Sequence, residues 1–160
     1  MSITIVFGSD GGTTRSTAKK IAARCNARVV SIRKAVASDF EQCSLLILAC
    51  PTYGTGELQS DWADNLNKLE EANLSSKKVA LLGLADQVSY PFSFADAIGI
   101  LYDIVVEKGA EVVGFTSIED YSYAESLAVR DGQFVGLVLD EDNQSQQSDK
   151  RIDAWLSAIK

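Results

Sequence analysis

Three short stretches of this chain concentrate residues able to hold a flat, anionic small molecule. The first is Gly8-Ser9-Asp10-Gly11-Gly12-Thr13-Thr14-Arg15, which follows the apolar run Ile3-Thr4-Ile5-Val6-Phe7. Its glycines let successive backbone N–H groups turn inward, its hydroxyls add donors, and a helix starting there would favour negative charge. That is the composition of a phosphate cradle. It is not a Walker loop, because Thr13 stands where that motif needs lysine, and it lacks the Gly-x-Gly-x-x-Gly spacing of dinucleotide folds. The second stretch is Pro51-Thr52-Tyr53-Gly54-Thr55-Gly56-Glu57-Leu58, where small neighbours leave Tyr53 unshielded. The third is Ala85-Asp86-Gln87-Val88-Ser89-Tyr90-Pro91, a second tyrosine beside a carboxylate and an amide. Two aromatics and one phosphate cradle suggest a ring clamped between tyrosines. Asp86 is placed to accept from a ring N–H.

Each stretch follows an apolar run, and those runs are the elements that must position them. Ile3–Phe7, Val29–Ile32, Leu45–Cys50 and Val79–Leu84 are near-continuously apolar, the pattern of strands covered on both faces. Helical spacing lies between them. Ala18, Ile21, Ala22 and Cys25 share one face, Phe94, Ile98, Leu101 and Val105 another, and Ile152, Trp155, Leu156 and Ile159 a third. Strands alternating with helices make a parallel sheet with right-handed crossovers. Five strand signals in 160 residues predict an α/β, doubly wound, five-stranded sheet with helices on both faces. In such a sheet ligands bind beyond the carboxyl ends of the strands, where the three stretches lie. Val112–Phe115 and Phe134–Leu139 read either as one fifth strand interrupted by a polar, aromatic excursion or as two strands joined by a hairpin.

Composition narrows the chemistry. The chain has no histidine, which removes Ser-His-Asp and Cys-His nucleophiles, a histidine base and histidine-ligated metals. Fifteen Lys and Arg against 22 Asp and Glu give a net charge of -7, contrary to a nucleic-acid grip and suited to basic partners or plain solubility. Cys25, Cys43 and Cys50 form no Cys-x-x-Cys pair, so we expect small core residues in a reducing cytoplasm. No metal site, signal peptide or membrane-spanning segment is expected. Trp62 and Trp155 read as core. Tyr121 and Tyr123 suit either a partner surface or packing on the sheet edge.

In these motifs the chain resembles the flavodoxins, of the long-chain kind, over essentially its whole length. Gly8–Thr14 is similar to the family's phosphate loop, Pro51–Trp62 to its first flavin loop and following helix, and Gly83–Gly99 to its second. Phe134–Ser145 resembles the segment that resumes strand five after the long-chain insertion, which places that insertion at about residues 116–133 of a single domain, 1–160. The resemblance implies strand order 2-1-3-4-5 and a non-covalent FMN cofactor. By that resemblance Ser9, Asp10, Gly11, Gly12, Thr13 and Thr14 hold the phosphate, and Tyr53 and Tyr90 flank the isoalloxazine. Thr52, Gly56 and Ala85 complete the two flavin loops, Asp86 meets the pyrimidine edge, and Gly54 and Thr55 present a peptide to flavin N5. The implied function is low-potential electron transfer, cycling mainly between neutral semiquinone and hydroquinone, by a monomeric carrier rather than an enzyme. Basic faces of redox proteins are the expected partners: a flavodoxin reductase or photosystem as donor, and an acceptor enzyme.

The chain departs from the family pattern at three places. Gly11 replaces the middle threonine of the phosphate loop, Tyr53 stands where many long-chain members carry tryptophan, and Ala85 replaces a common glycine. Carboxylates expected around the ring are Glu57, Asp61, Asp86, Asp140 and Asp142, whose field would oppose a second negative charge. Two alternatives share the fold: a quinone-type flavin reductase and a redox-silent flavin-binding regulator. A signalling receiver needs an aspartate at the end of strand three, where Ala49-Cys50-Pro51 stands.

Overall fold

A computed structural model describes residues 2–9 and 11–160 of the chain. The opening apolar run forms β1 (Ile3–Phe7), buried along its whole length. It pairs in parallel with β2 (Arg28–Ser31) on one side and β3 (Leu45–Tyr53) on the other. The end of β3 runs past the expected strand and pairs antiparallel with a two-residue β4 (Glu57–Leu58). β5 (Lys78–Leu84) lies parallel to β3 on its far side.

The fifth position of the sheet is shared by two pieces. β6 (Glu111–Val113) pairs with the first residues of β5, Lys78–Ala80. The chain then leaves the sheet and forms a small antiparallel sheet of β7 (Thr116–Ser117), β8 (Val129–Arg130) and β9 (Gln133–Phe134). It returns as β10 (Leu137–Leu139), which pairs with Leu82–Leu84 of β5. One strand is therefore interrupted, as the resemblance implies, and the overall order is β2-β1-β3-β5 with β6 and β10 at the edge. At Gly136 a Cβ would run into the Leu81 backbone, so the strand re-enters where only glycine fits.

Both faces of the sheet are covered, and the strand alternation shows it. Leu45, Ile47 and Ala49 join one core with Ile3, Ile5, Ile21, Ile152 and Trp155. Leu46, Leu48 and Cys50 join the other with Phe40, Trp62, Ile98 and Leu101. On the first face lie α1 (Thr13–Cys25) and α5 (Glu141–Ile159). On the second lie α2 (Ala37–Glu41), α3 (Ser60–Glu71) and α4 (Asp96–Glu107). Each fully buried leucine or isoleucine contributes about 1.5–3 kcal/mol. All four apolar residues expected on the C-terminal helix are buried on α5. On the middle helix Phe94 is buried but lies before α4 begins.

Trp62 and Trp155 are core, as expected, and both indole N–H groups are used. Trp62 Nε1 donates to the Ala49 carbonyl at 2.8 Å and Trp155 Nε1 to Gly114 at 2.9 Å. Cys43 and Cys50 are buried, and Cys25 is half-buried at the end of α1. Burial pushes the Cys50 thiol up to about 12, so it stays protonated and inert at neutral pH. Tyr121 and Tyr123 take the packing role, meeting the rings of Phe94 and Phe134. The Tyr121 hydroxyl donates to the Val138 carbonyl at 2.5 Å, and the Arg151 guanidinium lies 4.1 Å from its ring centroid. Among the described residues no helix is long and apolar enough to cross a membrane.

Candidate functional site

The carboxyl ends of β1, β3 and β5 open onto one cleft of about 450 Å³. Its wall contains Ser9, Gly11, Thr13 and Thr14 from the first loop, Thr52, Tyr53 and Gly54 from the second, and Ala85, Asp86 and Tyr90 from the third. The three stretches singled out by residue type thus meet in space. The meeting follows from topology: β1 and β3 are neighbours and β5 is next to β3, so their carboxyl ends share one edge. The volume falls in the range of small-molecule sites.

The phosphate-cradle end is built on the start of α1. Ser9 Oγ accepts from the Gly12 N–H at 3.0 Å, which closes the loop, and Thr17 Oγ1 donates back to the Thr13 carbonyl at 2.9 Å. Gly12 has φ +87 and lets the chain turn into the helix. No acidic residue lies in the first turn of α1, so its positive end is not neutralised there. Among the described residues a Cβ at Gly11 or Gly12 would meet nothing within 4 Å. Gly12 itself lines a neighbouring groove rather than the cleft. Asp10, expected in the same loop, lies outside the described residues.

The second loop is a tight turn, closed by the Gly56 N–H donating to the Tyr53 carbonyl at 3.2 Å. Gly54 has φ +52 and a Cβ there would meet no atom closer than 3.7 Å, so the peptide at Gly54–Thr55 has room to turn. Thr52 lines the cleft, but its Oγ1 accepts the Ala97 N–H at 3.0 Å and caps α4. Thr55 and Gly56 lie outside the cleft lining. Gly56 instead packs on Asp96, whose Oδ2 stands 2.5 Å from where a Cβ would be. Asp96 is buried, and its other oxygen accepts the Leu127 N–H at 2.7 Å, tying the insertion to this loop.

Burial raises the Asp96 pKa, with a further push from Glu125, against the Leu127 bond. Asp96→Asn keeps an acceptor for Leu127 and removes the desolvated charge. It is expected to stabilise the fold at pH 7. The gain should shrink as pH falls through the raised pKa and vanish below the unfolded value of about 4. Urea midpoints of both proteins at pH 7 and pH 4 check this; a gain at both pH values would assign the effect to packing instead of charge.

The third loop is held from below. Asp86 Oδ1 accepts the N–H groups of Val88 at 3.0 Å and Ser89 at 2.9 Å and the Asn143 amide at 2.8 Å. These bonds, the Ser89 N–H foremost, hold its carboxyl below the usual carboxylate range. Ala85 has no positive φ, so the alanine fits this turn without strain. Tyr90 is 46% exposed on the cleft wall.

The expected ring of carboxylates is partly redistributed. Asp142 and Glu141, the latter not foreseen, line the cleft with Asp86 from the first turn of α5, which is broken after it at non-helical Gln144. Asp140 is fully buried and is a hub, not a rim residue. Its carboxylate accepts the Gln87 N–H at 3.0 Å, the Gln87 side-chain amide at 2.8 Å and the Asn143 N–H at 3.1 Å. Asp61 faces the neighbouring groove, 4.0 Å from the Arg33 guanidinium. Glu57 stands beside Gly54 in the second loop. Pro51 and Leu84 also line the cleft, as the strand residues bordering two of the loops. Among the described residues no cluster of acidic and cysteine side chains forms a metal site.

Residues 5–155 match the family model described as Flavodoxin. A flavodoxin of Synechocystis is 41% identical over 162 residues, spanning 99% of this chain and 95% of that protein. A flavodoxin of Helicobacter pylori is 42% identical over 159 residues, spanning 99% and 96%. Among solved structures, Fusobacterium nucleatum flavodoxin bound to flavin mononucleotide superposes with a TM-score of 0.93 at 38% identity, covering 99% of this chain and 96% of that one.

Proposed function

The chain belongs to the flavodoxin family, and from that membership we propose that it carries single electrons on an FMN held non-covalently in the cleft beyond β1, β3 and β5. The observation that carries this reading is the convergence in one cleft of an open glycine loop at a helix N-terminus, two tyrosines and an ionised aspartate. When bound, FMN supplies the one-electron chemistry; the protein supplies grip, exclusion of water and an electrostatic field.

The Gly11 backbone N–H and the hydroxyls of Ser9, Thr13 and Thr14 would hold the phosphate, aided by the positive end of α1, while the Gly12 N–H closes the loop on Ser9 Oγ. Asp10 belongs to the proposed phosphate loop on sequence grounds. Tyr53 and Tyr90 would flank the ring, and Asp86 would accept from its pyrimidine edge. The carboxylates of Asp86, Glu141 and Asp142, with Glu57 nearby, make further negative charge in the cleft costly and so lower the potential of the second electron. The same acidic rim suits a basic face on a redox partner such as a reductase or photosystem. The lack of histidine removes the commonest side-chain base and suits a carrier without catalysis of its own, which we propose to be cytoplasmic and monomeric.

Gly54 is the residue whose conformation bears most on the redox step. Its peptide with Thr55 can present either its N–H or its C=O toward the ring edge, because glycine turns at little steric cost. Gly54→Ala, at φ +52, adds about 1 kcal/mol of backbone strain. It is expected to lower the potential of the first one-electron step while FMN remains bound. Anaerobic potentiometry reads this directly, and unchanged potentials would assign Gly54 a turn-forming role alone.

The decisive experiment is flavin removal followed by titration of the apoprotein with FMN and with riboflavin, then anaerobic reduction. Tight FMN binding, weaker riboflavin binding and two separate one-electron steps are expected. A protein that binds neither flavin refutes the reading. Rapid oxidation of NADPH by the flavin-loaded protein alone would make it a reductase.

A further inference from the structure

We infer that this acidic protein carries a basic docking groove along the free edge of β2, fitted to an extended, Asp- and Glu-rich segment of a partner protein. The groove encloses about 830 Å³ and lies beside the flavin cleft, on the other side of the phosphate loop. Its wall gathers Arg15 and Lys19 from α1 with Arg28, Arg33 and Lys34 from β2 and the turn after it. Five of the chain's 15 cations therefore face one groove, against only two of its 22 carboxylates, Asp39 and Asp61. In a chain of net charge -7 that is a local reversal of sign.

The two carboxylates do not neutralise it. Asp39 pairs with Arg28, and Asp61 stands 4.0 Å from Arg33. Among the described residues Arg15, Lys19 and Lys34 make no ion pair. Lys68 donates to the Ile32 and Arg33 carbonyls at 3.0 and 2.9 Å, which fixes the turn and adds positive charge behind it. Charge complementarity thus selects an acidic occupant.

The sheet supplies the shape. Among the described residues β2 ends the sheet and pairs only with β1, so no neighbouring strand there uses the other side of its backbone. Val29, Val30 and Ser31 of that strand line the groove floor, and Val36 at the rim is 60% exposed. Cations on an edge ordinarily deter strand addition. Toward an acidic chain the same charges attract, so the edge rejects neutral and basic segments and admits acidic ones. A second face of opposite sign lets the protein distinguish partners that the acidic cleft rim alone would treat alike.

The test uses the flavin-loaded protein and an acetylated, amidated ten-residue peptide of alternating Glu and Val, followed by amide chemical shifts and hydrogen exchange. Shifts and slowed exchange should centre on residues 28–34 and fade with salt. Lys19→Glu with Lys34→Glu, which leaves the phosphate loop intact, should weaken binding at least about tenfold. The milder pair Lys19→Gln with Lys34→Gln should weaken it less, and the amide spectrum shows that both stay folded. Several results overturn the inference: no shifts at millimolar peptide, shifts centred elsewhere, or equal effects from a Lys and Val peptide. Inorganic pyrophosphate that binds the groove while the peptide gives no protection would make it a plain anion site. A short DNA oligonucleotide that binds there more tightly than the peptide would reassign the surface to nucleic acid.

Discussion

Asp140→Ala is expected to cost about 3–5 kcal/mol of stability and to loosen the loop after β5 that carries Asp86 and Tyr90. The carboxylate is fully buried and collects donors from two directions. Gln87 reaches it through both its backbone N–H and its side-chain amide. Asn143 reaches it from the first turn of α5 and at the same time donates to Asp86 at 2.8 Å. The Gln87 side-chain oxygen, Oε1, then accepts the Ser122 N–H at 2.5 Å, so the insertion hangs from the same hub. Truncation strands the two donors of buried Gln87, where each unmade bond costs about 1–3 kcal/mol, while the exposed Asn143 can turn to water. Against a typical total stability of about 5–15 kcal/mol the loss is large. Asp140→Asn keeps the volume but turns one acceptor into a donor, and should recover part of the loss. Urea unfolding of the apoprotein measures the stability. FMN titration should show affinity at least roughly tenfold weaker, because each 1.4 kcal/mol lost at Asp86 and Tyr90 is a factor of ten. Unchanged affinity would show that the loop holds its place without the hub.

Gly8→Ala is the second large expected effect. Gly8 joins β1 to the phosphate loop, and its N–H donates to the Ala49 carbonyl at 3.3 Å. A Cβ there would collide with Gln59 Oε1 and stand 2.6 Å from Trp62 Cδ1. Neither neighbour can retreat. Gln59 and Trp62 are fully buried, Gln59 accepts the Trp62 N–H at 3.3 Å, and the Trp62 indole is fixed to Ala49. The methyl must push the phosphate loop outward or break that buried set, at about 2–4 kcal/mol. If two phosphate hydrogen bonds of about 1.4 kcal/mol each are lost, FMN binds roughly 100-fold more weakly. Riboflavin has no phosphate and should lose much less. An equal loss for both flavins would mean that the defect lies in the ring site or in the whole fold.

These two residues mark where the reach of the sequence ends. The Gly-rich stretch was legible because its composition is local: glycines, hydroxyls and a helix start adjoin in the chain. That Gly8 in particular must lack a side chain depends on Gln59 and Trp62, some fifty residues on, and nothing local encodes that approach. Asp140 read as one acid in a run of acids, Asp140-Glu141-Asp142, equivalent by composition. Three-dimensional placement separates them: the first is the buried N-cap of α5, and the other two, in the first turn of that helix, line the cleft. Asp61 is among the carboxylates expected around the ring. The turn of α3 instead points it at Arg33 across the neighbouring groove.

The sequence by itself determined the layered α/β fold, the ends of the strands that form the site, and the absence of histidine chemistry. These follow from periodicity and composition, which act residue by residue along the chain. It also held two readings of the 112–139 segment, since a hairpin and an interrupted strand share one apolar pattern. The family resemblance chose the interrupted strand, and the structure has it, with β6 and β10 pairing with successive halves of β5. Tertiary structure alone placed Arg15, Lys19, Arg28 and Lys34 around one groove, although the chain as a whole is acidic. Net charge is a sum and carries no position, whereas the local field depends on which charges the packed elements bring within a Debye length of about 10 Å.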